Sequence, residues 1–304
     1  MLTSVSQRLI EFKRIAVLTD LESNSEKMVR YAASLARWYG SELLLVHAYA
    51  PESSMAIPSQ PLPVWPASGL PPKQDAEQKI KALTDKLNLH DLRTKAMIRE
   101  TSIGRILDEV DECRPSLLVL ATHGREGVAK WLVGSIAEEV FRRVQWPVLI
   151  LGPGCSQTES APQKQFERVL YATDMSAVSL TALQYASGIS HDHEAQLIAL
   201  YVEPDPKLGF SFNRVMAQQK LEDWLQDHID GMSAALIGAH CLVDVGKPGT
   251  RIVEVAAQQQ ADLVVIGARG LGGISGPASH FIGGTAYEIS CCSKCPVLIV
   301  PQPR

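Results

Sequence analysis

The sequence predicts two tandem Rossmann-like α/β domains, each an open parallel sheet with helices on both faces. Three observations predict it. The chain repeats itself, each repeat alternates short β-branched runs with helical patterns, and several runs are apolar at every position. Strands apolar throughout are expected where both faces of a sheet are covered.

The repeat is read from matched segments. Arg14-Ile-Ala-Val-Leu-Thr-Asp20 recurs as Arg168-Val-Leu-Tyr-Ala-Thr-Asp174, an offset of 154 that also carries Tyr31-Ala32 onto Tyr185-Ala186. The offset falls to 146 for Arg105-Ile106 onto Arg251-Ile252 and Gly124 onto Gly270. It rises to 149 for Pro147-Val-Leu-Ile150 onto Pro296-Val-Leu-Ile299. The order of matches never changes, so the domains are set at 1–152 and 166–304, with polar, turn-rich 153–165 as linker.

In the first half, Arg14–Thr19 reads as a strand. Ser25–Tyr39 reads as a helix with Met28, Tyr31, Ala32, Leu35 and Trp38 on one face and Gly40 past its end. Pro51–Pro72 holds seven prolines and is neither helix nor central strand, so it is a long surface loop. Then come strand Glu42–Ala48 before that loop, and after it helix Asp75–Leu89, strand Arg93–Arg99, helix Gly104–Cys113 and strand Ser116–Ala121. Helix Ser135–Arg143 and strand Val148–Leu151 close the half. The second half follows the same plan, with a longer second helix near Phe212–Ile237.

Composition excludes several function classes. A net charge of −4 argues against nucleic acid as main partner, because phosphate neutralisation needs a basic face. No apolar run approaches the roughly 20 residues of a membrane span. Met1–Phe12 lacks a signal-peptide layout, and six cysteines are too sparse for a disulfide scaffold, so a reducing, cytoplasmic setting is expected.

Ligands of open parallel sheets bind at strand carboxyl ends. Thr19-Asp20 and Thr173-Asp174 fall at such ends. So do two glycine-rich loops: Ala121-Thr-His123-Gly124-Arg125, followed by Gly134-Ser135, and Gly267-Ala-Arg269-Gly270, followed by Gly283-Gly284-Thr285. Glycines let backbone N–H groups approach phosphate oxygens, and a helix N-terminus adds the positive end of its dipole. The plainer reading is that these are ordinary turns, with Asp20 and Asp174 as Asx turns or helix caps and Ser135 as an N-cap.

These residues resemble the universal stress protein family in its tandem form. Its signature is Gly-x-x-Gly, nine residues, then Gly-Ser or Gly-Thr. The resemblance also rests on the strand-1 Thr-Asp, on His123–Arg125 and on Cys295-Pro-Val-Leu-Ile-Val300. It implies a five-stranded sheet of order 3-2-1-4-5 and an adenine nucleotide, ATP in some members, alone or with Mg, while other members bind none. It places adenine-side contacts at Asp20 and Ala48, and at Asp174 and Val202. It also implies association through last strands, here Val148–Leu151 with Val297–Val300 as an intramolecular pair, with a homodimer as a further option. Both halves depart from the signature. Ala121 replaces the first glycine, which matters only if its φ is positive. In the second half twelve residues separate Gly270 from Gly283, and Gly284 takes the Ser/Thr place.

Little reads as catalysis. There is no P-loop and no nucleophile elbow, and Gly270-x-Gly272 fails as a dinucleotide fingerprint because Ser275 stands where the third glycine is needed. His123 can act as a base, but Arg269 replaces it in the second half, which favours binding. Cys292/Cys295 and His191/His193 are weak metal candidates, and no metal site is expected. The expectation is a stress-response protein that binds an adenine nucleotide and acts by changing shape or protein partners. The alternatives are a nucleotide-free interaction module and a slow ATP hydrolase.

Overall fold

The computed structural model describes residues 8–22, 25–49, 70–121, 139–140, 143, 145–155, 166–177, 179–204, 212–228, 238–268 and 284–302. These group into two compact units. The first holds 12–121 with helical residues Glu139, Val140 and Arg143; the second holds 8–11 and the described chain from 145 onward.

The first unit runs β1 (Arg14–Leu18), α1 (Ser25–Tyr39), β2 (Glu42–Tyr49), α2 (Pro72–Lys86), a 3₁₀ turn at Leu89–Asp91, β3 (Thr94–Glu100), α3 (Ile103–Glu112) and β4 (Leu117–Ala121). Its strands are parallel in the order β3-β2-β1-β4. The second unit runs β5 (Val148–Leu151), β6 (Arg168–Thr173), α4 (Ser179–Asp192), β7 (Gln196–Glu203), α5 (Arg214–Gln226), β8 (His240–Val245), α6 (Pro248–Gln258), β9 (Leu263–Gly267), α7 (Gly284–Cys292) and β10 (Val297–Val300). Strands β8-β7-β6-β9-β10 are parallel neighbours, the 3-2-1-4-5 order of that half. Strand β5, the last of the first half in sequence, lies antiparallel on β10 with Leu149 opposite Leu298.

Burial explains these strands. Ile15–Val17, Leu43–Val46, Leu117–Leu120 and Val264–Val265 are each at most 4% exposed. Each such side chain contributes about 1.5–3 kcal/mol on leaving water. Helix α1 buries Met28, Ala32 and Leu35, with Tyr31 and Trp38 half-buried at the margin of the stripe. Gly40 at φ +70° then turns the chain into β2.

Two helices differ from expectation. Helix α2 starts at Pro72, not Asp75, because proline suits a first turn that needs no N–H partner. It ends at Lys86, and Asn88 at φ 49° leads into the 3₁₀ turn. Helix α5 is not the longer helix expected over Phe212–Ile237. It starts after Asn213, whose side chain caps the Met216 N–H, and stops at Gln226. His228 binds the Trp224 carbonyl at 2.6 Å and satisfies part of the last turn. Residues 229–237, most of Pro51–Pro72, most of the linker and much of Ser135–Arg143 lie outside the described residues.

The second unit also holds the segment before β1. The Asp192 carboxylate accepts the N–H groups of Leu9 at 2.7 Å and Ile10 at 3.0 Å. Ile10 fills the space above Gly188, where a Cβ would stand 2.7 Å from its side chain.

Candidate functional site: two crevices at strand carboxyl ends

In each unit the sheet has one point where connections leave in opposite directions. From β1 the chain passes to β2 on one side, while β4 flanks the other. β6 has β7 and β9 in the same relation. In open parallel sheets such a switch point is where a ligand crevice is expected, beyond the carboxyl ends of the two central strands. Asp20 follows β1 and Ala121 ends β4; Asp174 follows β6 and Gly267 ends β9.

The turns after β1 and β6 are built alike. The buried Thr19 hydroxyl accepts the Leu21 N–H at 3.0 Å and donates to Ser25 Oγ at 2.7 Å. Thr173 accepts the Met175 N–H at 2.9 Å and donates to Ser179 Oγ at 3.0 Å. Leu21 and Met175 both adopt positive φ, 62° and 57°. Asp20 Oδ1 accepts the Glu22 N–H at 3.0 Å and the Ser25 hydroxyl at 2.7 Å. Asp174 Oδ1 accepts the Ser176 N–H at 3.1 Å and its hydroxyl at 2.6 Å. Both carboxylates therefore brace Asx turns at the carboxyl ends of β1 and β6.

The neighbouring strand ends differ. Ala48 is half-buried and Val202 buried. Beside Ala48, His47 Nδ1 lies 2.9 Å from the Thr19 carbonyl oxygen, so it donates, and the His47 ring stacks on Tyr49 with centroids 6.4 Å apart. Burial, with the negative charges of Glu100 and Glu77, raises the Tyr49 hydroxyl above its ordinary pKa. Beside Val202, the Tyr201 hydroxyl donates to Glu203 Oε2. Burial, that hydrogen bond and the charges of Glu203 and Asp174 push Tyr201 well up, so it remains a donor. Sequence reading missed both pairs. The period of two, which puts residues 201 and 203 on one face, and the offset of 154 were the signals available.

At the glycine positions, Ala121 and Gly267 are the last residues of β4 and β9, and neither has positive φ. The condition under which alanine would strain this position is absent. Gly284 and Thr285 open α7, and a Cβ on Gly284 would meet open space. His123, Gly124, Arg125, Gly134, Ser135, Arg269, Gly270 and Gly283 lie outside the described residues.

The other candidates sit elsewhere. His191 is in the last turn of α4, and His193 is buried edge-on to Phe166 before β7, at the amino end of that strand. Among the described residues no group of three or more His, Cys, Asp or Glu is placed to hold a metal ion. All six cysteines are free thiols, and burial raises Cys155 to about 12 and Cys291 to about 11. Such thiols are weak nucleophiles at neutral pH. No helix among the described residues is long and apolar enough to cross a membrane.

The model of the Universal stress protein family matches residues 11–152 and 165–301. A universal stress protein of Mycolicibacterium smegmatis is 25% identical over 306 residues, covering 95% of this chain and 97% of its own. One from Mycobacterium tuberculosis (strain CDC 1551 / Oshkosh) is 25% identical over 308 residues, covering 95% and 96%. The crystal structure of a universal stress protein from Archaeoglobus fulgidus DSM 4304 superposes with a TM-score of 0.67 at 18% identity, covering 96% of this chain and 99% of that one. A Pseudomonas aeruginosa PAO1 protein described as functionally unknown superposes at 0.62 with 16% identity, covering 96% and 93%. At these identities the two structures speak to the fold.

Proposed function

The chain belongs to the universal stress protein family, and from that premise we propose that it is a stress-response protein binding an adenine nucleotide, ATP foremost, at its two crevices. The observation that carries the reading is the duplicated placement. Asp20 with Ala121, and Asp174 with Gly267, flank the switch point of their own sheets. The adenine edge would lie against Ala48 or Val202, beside the Asp20 or Asp174 turn. The phosphates would reach the backbone N–H groups of the glycine loops and the helix start at Gly284-Thr285, where the dipole favours anions. His123–Arg125, Gly134 and Ser135 in one half, and Arg269, Gly270 and Gly283 in the other, would complete the cradle, with or without Mg.

Binding rather than turnover is the proposed role, with the cytoplasm as its setting. The nucleotide would favour one shape or one protein partner over another, by its differential affinity for the two states. A nucleotide-free interaction module is the second reading. The Asx turns favour it, since Asp20 and Asp174 have a structural task without any ligand. Denaturing the purified protein and chromatographing the supernatant separates the two. Released adenine nucleotide, or heat on adding ATP, supports binding; neither signal leaves the interaction module.

A further inference from the structure

We propose that Cys155 and Cys295 form an oxidation site, a thiol pair that a small disulfide such as oxidised glutathione converts into a covalent staple between the end of β5 and the start of β10. It stands apart from the nucleotide reading and does not depend on it.

The backbone brings the two residues together. In the antiparallel ladder Ile150 lies opposite Val297, and Val148 opposite Ile299. Continued by two residues, that register sets Gly152 opposite Cys295. There the chain turns back. Gly152-Pro-Gly-Cys155 closes a turn, with the Cys155 N–H on the Gly152 carbonyl at 3.1 Å. Proline and glycine suit its two central positions. The turn packs directly on the segment before β10. A Cβ on Gly152 would stand 3.0 Å from the Ser290 carbonyl oxygen, and one on Gly154 3.3 Å from that of Ser293 and 3.7 Å from the Lys294 Cα. Side chains at these two positions would hold the turn off. Opposite residues of such a ladder have Cα atoms about 4.5–5.5 Å apart. A turn folded back along it brings Cys155 to the range of about 4.4–6.8 Å that a disulfide spans.

The side chains agree. Cys155 lies close enough to Cys295 for the charge of one thiol to act on the other. Ser293 steadies the second thiol, since its Oγ accepts the Cys295 N–H at 3.2 Å and lies 3.4 Å from Cys295 Sγ. Cys155 is half-buried and Cys295 buried, whereas Cys292 at the end of α7 is exposed. A small reagent therefore reaches the pair through Cys155.

The reaction is two exchanges. The Cys155 thiol gives up its proton, and its sulfur attacks one sulfur of oxidised glutathione. One glutathione leaves and takes up a proton, while Cys155 holds the other in a mixed disulfide. Cys295 then gives up its proton and its sulfur attacks Cys155 Sγ, so the second glutathione leaves as a thiol. The cysteine pair loses two electrons and two protons, and the small disulfide gains them. Burial, which raises both thiols, sets the pace. Fewer thiolates form, and their greater nucleophilicity offsets only part of that, so attack is roughly a hundredfold slower than by an ordinary cysteine. Thiols of high pKa also leave poorly, so the staple is slow to reopen. The site is a slow latch rather than a fast sensor.

The test treats the reduced full chain with millimolar oxidised glutathione near neutral pH for hours, blocks the remaining thiols and maps the digest by mass spectrometry. The main cross-link expected joins the peptides of Cys155 and Cys295, and it should appear more slowly than glutathione on exposed Cys292. The staple closes a long loop, so the melting temperature should rise by roughly 5–15 °C. Cys155→Ser should abolish both the joined peptide and the rise, and Cys292→Ser should keep both. Melting curves of the reduced variants confirm that they fold. A main cross-link between other cysteines, glutathione on Cys155 without the joined peptide, no reaction at either thiol, or a rise that survives Cys155→Ser overturns the inference and leaves the nucleotide reading standing.

Discussion

The turns after β1 and β6 share their threonine bonds and an Asx turn, differing only in which serine hydroxyl reaches the aspartate, whereas the strand ends beside them differ throughout. Thr19, Leu21 and Ser25 repeat as Thr173, Met175 and Ser179 in hydrogen bonding and backbone sign. One step away, His47 and Tyr49 of the first half correspond in sequence to Tyr201 and Glu203 of the second. The turn starts a helix and caps a strand, so few side chains satisfy it. The strand end borders the crevice, where chemistry can drift while the fold stands. The turns that start a helix are duplicated, and the strand ends beside them have diverged.

The first way to break this comparison is at the equivalent helices α1 and α4. Asp192 has a fully buried side chain holding two N–H groups of the leading segment, and Trp38 occupies its place in the first half. Asp192→Ala should destabilise the second unit by about 2–3 kcal/mol, the cost of charge-assisted hydrogen bonds lost from a buried site. Urea unfolding followed by hydrogen exchange of residues 8–11 and 179–192 reads this directly. An unchanged midpoint would mean that the segment is not held by Asp192.

A second comparison uses the glycines of α6 and α3. A Cβ at Gly249 would stand 2.4 Å from Glu288, which is pinned by Lys247 and Thr250. At Gly104 the nearest atom is the flexible end of Arg143, 2.9 Å away. Gly249→Ala should cost about 1–2 kcal/mol by overpacking, and Gly104→Ala less. Thermal melts of the two variants in parallel test the order, and a reversed order would contradict the packing described.

Much of this was legible in sequence, for physical reasons. β4, β5 and α1 fell where expected because a buried parallel strand and an amphipathic helix leave unmistakable periods. Helix α5 did not. Its composition stays helix-friendly past Gln226, yet the helix ends there, with the His228 ring on the Trp224 carbonyl, an end no spacing in the sequence announces. The crevice turns were legible from Thr-Asp alone. Tyr201 and Glu203 were not, because a Tyr–Glu pair has no motif and becomes a pair only on one face of a formed strand.

A smaller effect concerns the signature position. Ala121 is in strand conformation, so Ala121→Gly should cost at most about 1 kcal/mol through backbone entropy and leave nucleotide stoichiometry unchanged. Scanning calorimetry with ATP titration checks both. A gain of a binding site in Ala121→Gly would show that the methyl obstructs the first crevice.

The smallest effect is in acid. Burial works to raise Glu42, but hydrogen bonds from Lys95 and Arg14 prevail and lower it, and the Arg37 hydrogen bond lowers Asp91; both lie in the first unit. Depressed carboxylates stabilise above their unfolded values, 4.5 and 3.8, and that contribution is lost as pH falls through the lower folded values. Between pH 5 and pH 3, roughly the span around these values, exchange in α1 and β2 should accelerate more than in α4 and β7. Equal acceleration would place the acid-sensitive pairs elsewhere.

The most direct measurement counts nucleotides. Native mass spectrometry of the full chain titrated with ATP should show a first and then a second nucleotide bound, with clearly separated affinities. A chain that stays empty at millimolar ATP, or fills two sites of equal affinity, would contradict the account.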